Sequence, residues 1–219
     1  MEFKSISYAI TVCNEIEEFN KLYPFLRNNI NLDDEIIVQQ DLDNSSDEDI
    51  YNIQSSLIDS GGDVFEKKPP TKYIQYPLGN NFSAFKNNLK KHCSKEYIFQ
   101  IDADELPALE LIINLPGILS VNDHVDLFHV PRCNTVFGLT QDHVNKWGWS
   151  VNGAGLINWP DWQPRIIKNK PEIKWTLPVH ETITGHSSSA TLPELRTHSL
   201  MHDKRIEKQE KQNAFYETL

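Results

Sequence analysis

The run IFQIDADE, residues 98–105, joins an apolar stretch to three carboxylates. Where the backbone stays extended, residues two apart face the same side, so Asp102 and Asp104 can converge on one point. Two carboxylates with no cysteine beside them suit a hard divalent cation, Mg²⁺ or Mn²⁺. Such a cation takes one or two protein carboxylates and completes its shell with substrate phosphates. The plainer reading is an acidic turn, because a bare Asp-x-Asp is common. Its place at the end of a buried strand favours the metal. His198 and His202, in THSLMHDK, lie four apart, a spacing that puts both on one face of a helix. Composition alone also permits a zinc or iron site of two histidines and a carboxylate, but nothing else in the chain supports one. His92, His124, His129 and His143 stand isolated and read as structural or surface histidines.

Five tryptophans fall within residues 147–175: Trp147, Trp149, Trp159, Trp162 and Trp175. Their faces can stack on sugar rings and their N–H groups can hydrogen-bond. Two or three are expected in a core and one or two along a groove. Lys86, Lys90, Lys91 and Lys95 read as a solvated helix face.

The elements that must position these groups follow from periodicity. SISYAITV (5–12) reads as a buried strand. Asn14, with Glu17 three residues on, reads as a helix cap, and Ile16, Phe19, Leu22, Tyr23 and Leu26 as the helix behind it, kinked or divided at Pro24. Further strands are expected at 35–39, 72–76 and 97–101. Helices are expected around Ile50–Ile58, closed by Gly61-Gly62, and around Phe82–Cys93. Strand and helix in alternation imply a parallel sheet with right-handed crossovers, whose ligands bind beyond the carboxyl ends of the strands. After residue 105 the helical rhythm weakens. Residues 1–105 and 106–219 therefore read as two functional halves, with His202 to Leu219 as a charged C-terminal helix.

The bulk numbers set limits. A chain of 219 residues, 39% hydrophobic and 24% charged, is ordinary for a soluble domain. A net charge of -10 repels nucleic acid and argues against nonspecific phosphate-backbone binding. No apolar run approaches the ~20 residues of a membrane span, and MEFKSISYAI lacks the pattern of a signal peptide. Three cysteines, far apart and odd in number, argue against a disulfide framework or a zinc cage and fit a reducing cytoplasm.

Six pieces in order resemble glycosyltransferase family 2, the GT-A fold: SYAITVCNE, EIIVQQDLDNSSDE, NNFSAFKNN, IDADE, WQPRII with VHETITGH, and HDKRIEKQEKQNAFYETL. The last two resemble lipopolysaccharide-core-type members and small bacterial and phage members. Asn81 stands where that family often has Gly, Lys86 where Arg is usual, and Gln40-Asp41 where two Asp are frequent. The resemblance implies an α/β architecture, a Rossmann-like parallel or mixed sheet flanked by helices, with a smaller β-rich, Trp-rich acceptor half. It implies transfer of a hexose, with inversion, from a nucleoside-diphosphate sugar, UDP-sugar foremost. The acceptor would be a hydroxyl on a glycan or other glycoconjugate, and the cation Mn²⁺ or Mg²⁺.

Site roles follow from the same resemblance. Thr11, Val12, Cys13, Asn14 and Glu15 would line the base pocket, together with Gln40 and Asp41, and Asp41 would accept the N3–H of uracil. Asn81, Lys86, Ala103 and Arg165 would lie along the donor. Asp102 would face ribose and metal, Asp104 would bind the metal, and His202, or second His198, would close its shell. A carboxylate must take the acceptor proton. Glu181 lies among β-branched residues in the Val-His-Glu motif, where its alternative is a salt bridge to Arg165. Asp161, after Trp159-Pro160, is the other candidate, and its alternative is a local cap. A magnesium-dependent nucleotidyltransferase would often show a Gly-rich loop with a basic residue after the first strand, which TVCNE lacks. A noncatalytic carbohydrate-binding module would account for the tryptophans but not for IDADE.

Overall fold

The computed structural model describes residues 3–59 and 67–216. As far as residue 102, strands and helices alternate: β1 (Ile6–Val12), α1 (Ile16–Asn29), β2 (Glu35–Asp41), α2 (Asp47–Asp59), β3 (Thr71–Tyr76), α3 (Phe82–Lys90) and β4 (Tyr97–Asp102). The order then becomes irregular: β5 (Leu106–Pro107), α4 (Leu109–Val121), β6 (Leu127–Val130), β7 (Arg132–Phe137), α5 (Gln141–Trp147), β8 (Gln163–Lys168), β9 (Lys174–Thr176), β10 (Thr182–Thr184), β11 (Ser189–Thr191), β12 (Leu200–Arg205) and α6 (Ile206–Tyr216).

Seven strands form the central mixed sheet, in the order β11-β6-β8-β4-β1-β2-β3. β1 pairs in parallel with both β2 and β4, and β2 with β3, whereas β8 runs antiparallel to β4 and to β6. The chain winds outward from β1 to β3 and returns to β4 on the other side of β1. A crevice therefore opens at the carboxyl ends of β1 and β4, where Thr11 and Asp102 are register partners. The sheet draws strands from both sides of residue 105.

Alternation along β1 builds the core on both faces. Ile6, Tyr8, Ile10 and Val12 pack with Phe19, Leu22, Tyr23 and Leu26 of α1 and with Leu111, Ile112 and Leu115 of α4. Ala9 faces the other way, towards Ile98, Ile167, Leu89, Trp175 and Ile183. Burying each large apolar side chain contributes roughly 1.5–3 kcal/mol, so the four from α1 outweigh the ~3 kcal/mol penalty of a proline inside a helix. α1 accordingly runs through Pro24 as one helix. Its N-cap is Glu15, without a side-chain cap bond, so the cap expected at Asn14 is not formed. The Gly61-Gly62 stop lies outside the described residues.

α4 and α5 were hidden in the sequence. α4 buries Leu111, Ile112, Leu115 and Leu119 yet exposes Leu109, Ile113 and Val121, so apolar residues surround it and blur its period. At the other end, residues 200–205 form a strand and the helix starts only at Ile206.

Two small sheets complete the molecule. β12 lies between β7, to which it is parallel, and β5, to which it is antiparallel. His202 is the register partner of Asn134, and Lys204 of Val136. β9 and β10 form a hairpin that packs Trp175 and Ile183 into the core. Behind it Gly185 has φ +85°, and a Cβ there would lie 1.9 Å from the carbonyl oxygen of Glu172.

Candidate active site

A cleft of about 580 Å³ opens where β1 and β4 end, bordered by α3, β7, β12 and the hairpin tip. Thr11, Val12, Cys13, Glu15, Asp41, Lys86, Asp102, Ala103, Asp104, Asp161, Arg165, Glu181 and His202 all line it. Most of the expected site residues are thus brought together.

The two aspartates of the motif diverge. Asp102 is the last residue of β4, and the chain turns at Ala103 and Asp104, with the Glu105 amide donating to the Asp102 carbonyl. The extended geometry that would aim both carboxylates at one point is therefore absent, which corrects that expectation. Asp102 Oδ1 accepts from Thr11 Oγ1 at 2.6 Å and Gln100 Nε2 at 2.8 Å, and Oδ2 accepts from Arg165 Nη2 at 2.6 Å. Burial opposes its ionisation, but the charges of Arg165 and Lys86, with these hydrogen bonds, hold its carboxyl well below the ordinary range. Asp102 thus reaches the cleft with both carboxylate oxygens hydrogen-bonded to protein partners.

Asp104 instead faces β12. Its Oδ2 lies 3.4 Å from His202 Nε2 and 3.4 Å from Lys204 Nζ. Burial again opposes charge, and the hydrogen bond and charge of His202 together with the charge of Lys204 prevail, so this carboxyl too is held far below its usual value. His202 Nδ1 meets Asn134 Oδ1 at 2.7 Å. The Asn134 amide is oriented by Asp161, whose Oδ2 receives the Asn134 Nδ2 donor at 2.6 Å. Because a carboxylate only accepts, the Asn134 oxygen must face His202, and Nδ1 must donate to it. When protonated, Nε2 donates to Asp104; were a cation to take the place of that proton, the Nε2 lone pair would face it from beside the Asp104 carboxylate. A carboxylate oxygen and an imidazole lone pair facing each other fit a divalent cation, with the second ring nitrogen held as metal-binding histidines usually are. Among the described residues no three His, Cys, Asp or Glu side chains gather as a metal cage. A cation here would depend on Asp104, His202 and a ligand's own oxygens.

His198 does not join them. It ends a 3₁₀ turn (Arg196–His198), its Nδ1 lies 3.1 Å from Thr197 Oγ1, and it is not among the residues lining the cleft. The shared helical face fails because residues 200–205 form a strand.

The carboxylates meet a ladder of guanidinium groups. Arg165 Nη2 also donates to Glu105 Oε1 at 2.6 Å, and Arg132 Nη1 to the same oxygen at 3.0 Å. Arg132 Nε reaches Asp161 Oδ2 at 2.9 Å. Contacts therefore run without a break from Asp104 through His202, Asn134, Asp161, Arg132, Glu105 and Arg165 back to Asp102. Asp161 sits in a turn, its amide donating to the Asn158 carbonyl at 2.9 Å. Both its oxygens are engaged, Oδ2 as above and Oδ1 by Gln163 Nε2 at 3.1 Å. Glu181, at the hairpin tip, takes Lys86 Nζ on Oε1 in a close salt bridge. Its partner is thus Lys86 and not Arg165. Lys86 is correspondingly buried, and Lys90 Nζ donates to the Lys170 carbonyl at 2.6 Å, so the lysine cluster is only in part a solvated face.

On the base side, Asp41 Oδ1 accepts the amides of Asp43 and Leu78, and Oδ2 accepts Asn44 Nδ2. A carboxylate offers about four lone-pair directions, which leaves Oδ2 able to accept once more. Burial raises the Glu15 carboxyl and pushes the Cys13 thiol up to about 11, so Cys13 stays protonated and serves as wall, not nucleophile. Three expected residues do not line the cleft. Asn14 is exposed outside the cleft lining. Gln40 is buried against the Cys13 carbonyl, Ser45 and Tyr73. Asn81 caps α3, accepting from the Ala84 amide at 2.9 Å. Of the tryptophans, Trp175 is buried, and Trp149 lines the cleft 4.6 Å from Trp147, so fewer are core than expected. Arg132, Asn134, Gln163, His180 and Lys204 line the cleft without having been singled out. Period-two alternation of polar residues in RCNTVF and HDKR was the available signal.

No family model matches the chain, and no curated protein matches it. Solved structures do. Staphylococcus aureus TarS, residues 1-349, aligns over 93% of this chain and 60% of its own, at 12% identity and a TM-score of 0.57. The same fragment in complex with UDP aligns over 91% and 60%, at 11% identity and a TM-score of 0.59. A Pyrobaculum calidifontis mannosyltransferase solved with GDP-Man and Mn²⁺ aligns over 77% at 13% identity, with a TM-score of 0.48, a likeness too slight to bear on the fold. The present chain thus spans about 60% of the length of the TarS fragment. The central mixed sheet flanked by helices is the GT-A type of architecture expected from the sequence.

Proposed function

We propose that this protein is a cation-dependent glycosyltransferase that moves a sugar from a nucleoside diphosphate to an acceptor hydroxyl. The observation that carries this is the pairing of Asp104 with a His202 whose tautomer is fixed by Asn134, at the mouth of the β1–β4 crevice and within one cleft with Glu181. Asp104 and His202 would hold Mn²⁺ or Mg²⁺, which when bound would neutralise negative charge on the departing diphosphate.

Thr11, Val12, Cys13 and Asp41 would receive the base, and Asp41 Oδ2 can accept the N3–H of uracil. That feature supports UDP, the nucleotide seen in one TarS structure. Glu181 would take the acceptor proton. Both oxygens of Asp161 are engaged by Arg132, Asn134 and Gln163, which argues for Asp161 as a positioning residue. Trp149 at the rim offers a flat face to a sugar acceptor. Displacement from the face opposite the diphosphate would invert the anomeric carbon.

The test is incubation with UDP-, GDP- and ADP-sugars plus Mn²⁺ and a panel of glycan acceptors, following free nucleoside diphosphate. Acceptor-dependent release, greatest for a UDP-sugar and stopped by chelator, is expected. Release that ignores chelator, or none from any donor, would refute the reading.

A further inference from the structure

We infer that Lys204 is a built-in countercharge for the donor diphosphate, acting beside the cation held at Asp104 and His202. The inference rests on the transferase reading above. His202 and Lys204 lie two apart on β12, so both project to the same side of the strand. They converge on the same oxygen, Asp104 Oδ2, each at 3.4 Å. Lys204 also lines the cleft, although its side chain is only 7% exposed.

Holding an ammonium in so sheltered a place costs desolvation free energy. A resident positive charge also repels an incoming divalent cation, so Lys204 works against metal binding when the cleft holds no donor. The arrangement makes sense if the site is completed by an anion. A diphosphate brings negative charge that the ammonium and the cation can share, and lysine binds phosphate as a compact point charge. Asp104 and His202 would be its protein ligands, and with no third His, Cys, Asp or Glu gathered there among the described residues, a cation would need oxygens supplied by the donor. Lys204 thus anchors the diphosphate before and during metal entry. In transfer, the bond from acceptor oxygen to anomeric carbon forms as the bond from that carbon to phosphate oxygen breaks. The electron pair leaves on the diphosphate, and the hydroxyl proton passes to Glu181. Lys204 stabilises the leaving group by charge and hydrogen bonding.

The experiment titrates UDP calorimetrically into wild type, K204M and K204R, in chelator and in saturating Mn²⁺. Binding of Mn²⁺ alone is followed by the resonance signal of the free ion. A hydrogen bond to a charged group corresponds to roughly tenfold or more in affinity. K204M should therefore lose about that factor for UDP in chelator, lose less in Mn²⁺, and bind bare Mn²⁺ more tightly. K204R should recover UDP binding in chelator, which a merely structural role would not produce. Should K204M fail to fold by circular dichroism, K204Q takes its place. Equal UDP affinity of variant and wild type in chelator would overturn the inference, as would a loss of the same size with and without Mn²⁺. A wild type that binds no nucleoside diphosphate under either condition would overturn the transferase reading, and this one with it.

Discussion

The two sides of the cleft are built by different means. On the β1–β4 side, long parallel strands end at Thr11 and Asp102 in register, and alternating apolar residues fix which side chains reach the crevice. On the other side, β5 has two residues and β9 and β10 three each. Between β4 and β12 the cleft-lining side chains also hold one another, through Arg132 and Asn134 of β7, Arg165 of β8, and Glu105 and Asp161 in the loops. On this side the strand sets only which face a side chain leaves from, and buried charge and directed hydrogen bonds fix where its polar end points. Such a network positions well but tolerates little, because a charge left behind in it is expensive.

Substitutions on the two sides should therefore differ in kind. The largest effect is expected at the hairpin tip. Glu181→Gln keeps shape and removes basicity, so transfer should fall by ~10²–10⁴-fold while UDP affinity in calorimetry holds. Wild-type turnover in that variant, with a dead Asp161→Asn, would move the base into the network and erase the contrast. Next comes Arg165→Met, which strands Asp102 and Glu105 without their shared guanidinium and should cost about 3–5 kcal/mol in denaturant unfolding. Its pH dependence has a definite sign. The folded-state carboxyl of Asp102 is held below its ordinary value of 3.8, so its stabilising contribution is complete above that value and fades as pH falls towards the depressed one. The stability gap between wild type and Arg165→Met should narrow below about pH 4, and a gap independent of pH would remove Asp102 from the account.

A smaller effect is expected from Asn134→Leu. It frees the His202 ring to adopt either tautomer and should weaken Mn²⁺ by about 10–100-fold in the presence of UDP, the range seen when such supporting groups are lost. An unchanged Mn²⁺ isotherm would show that Asn134 does not orient the ligand. The smallest belongs to the regular side. Asn81→Ala removes a helix cap worth ~1 kcal/mol in urea unfolding, and UDP affinity should shift by less than about twofold. A large loss of UDP binding would return Asn81 to the donor contacts.

The same contrast explains what could be read from the sequence. The α/β half was legible because its periods are long, and Asp104 and Glu181 because each sits in a recognisable run. His202 was singled out through the resemblance, while the helical face it was expected to share with His198 is not formed, since HDKR is a strand and not the start of a helix. That misreading also hid Lys204, whose relation to His202 requires a period of two. Arg132 and Asn134 were passed over, because RCNTVF offers only a period-two alternation and no motif, and their partners lie 27 to 68 positions away. Asn14 failed as a cap because cap preferences are local, whereas the helix start is set where β1 ends and the buried face of α1 begins.

Gly185 carries a consequence for how Glu181 can be moved. Its backbone presses so closely on the Glu172 carbonyl that a Cβ would sit at 1.9 Å, so the root of the hairpin admits no side chain at that position. The tip is tied by the Lys86 salt bridge and by the Phe82 amide, which donates to the Pro178 carbonyl at 2.9 Å. The hairpin is thus held at both ends, by close packing at residue 185 and by Lys86 and Phe82 at its tip, where Glu181 sits. A side chain at residue 185 would have to push aside the Glu172 carbonyl or the hairpin root, so the placement of that carboxylate depends in part on a residue with no side chain at all.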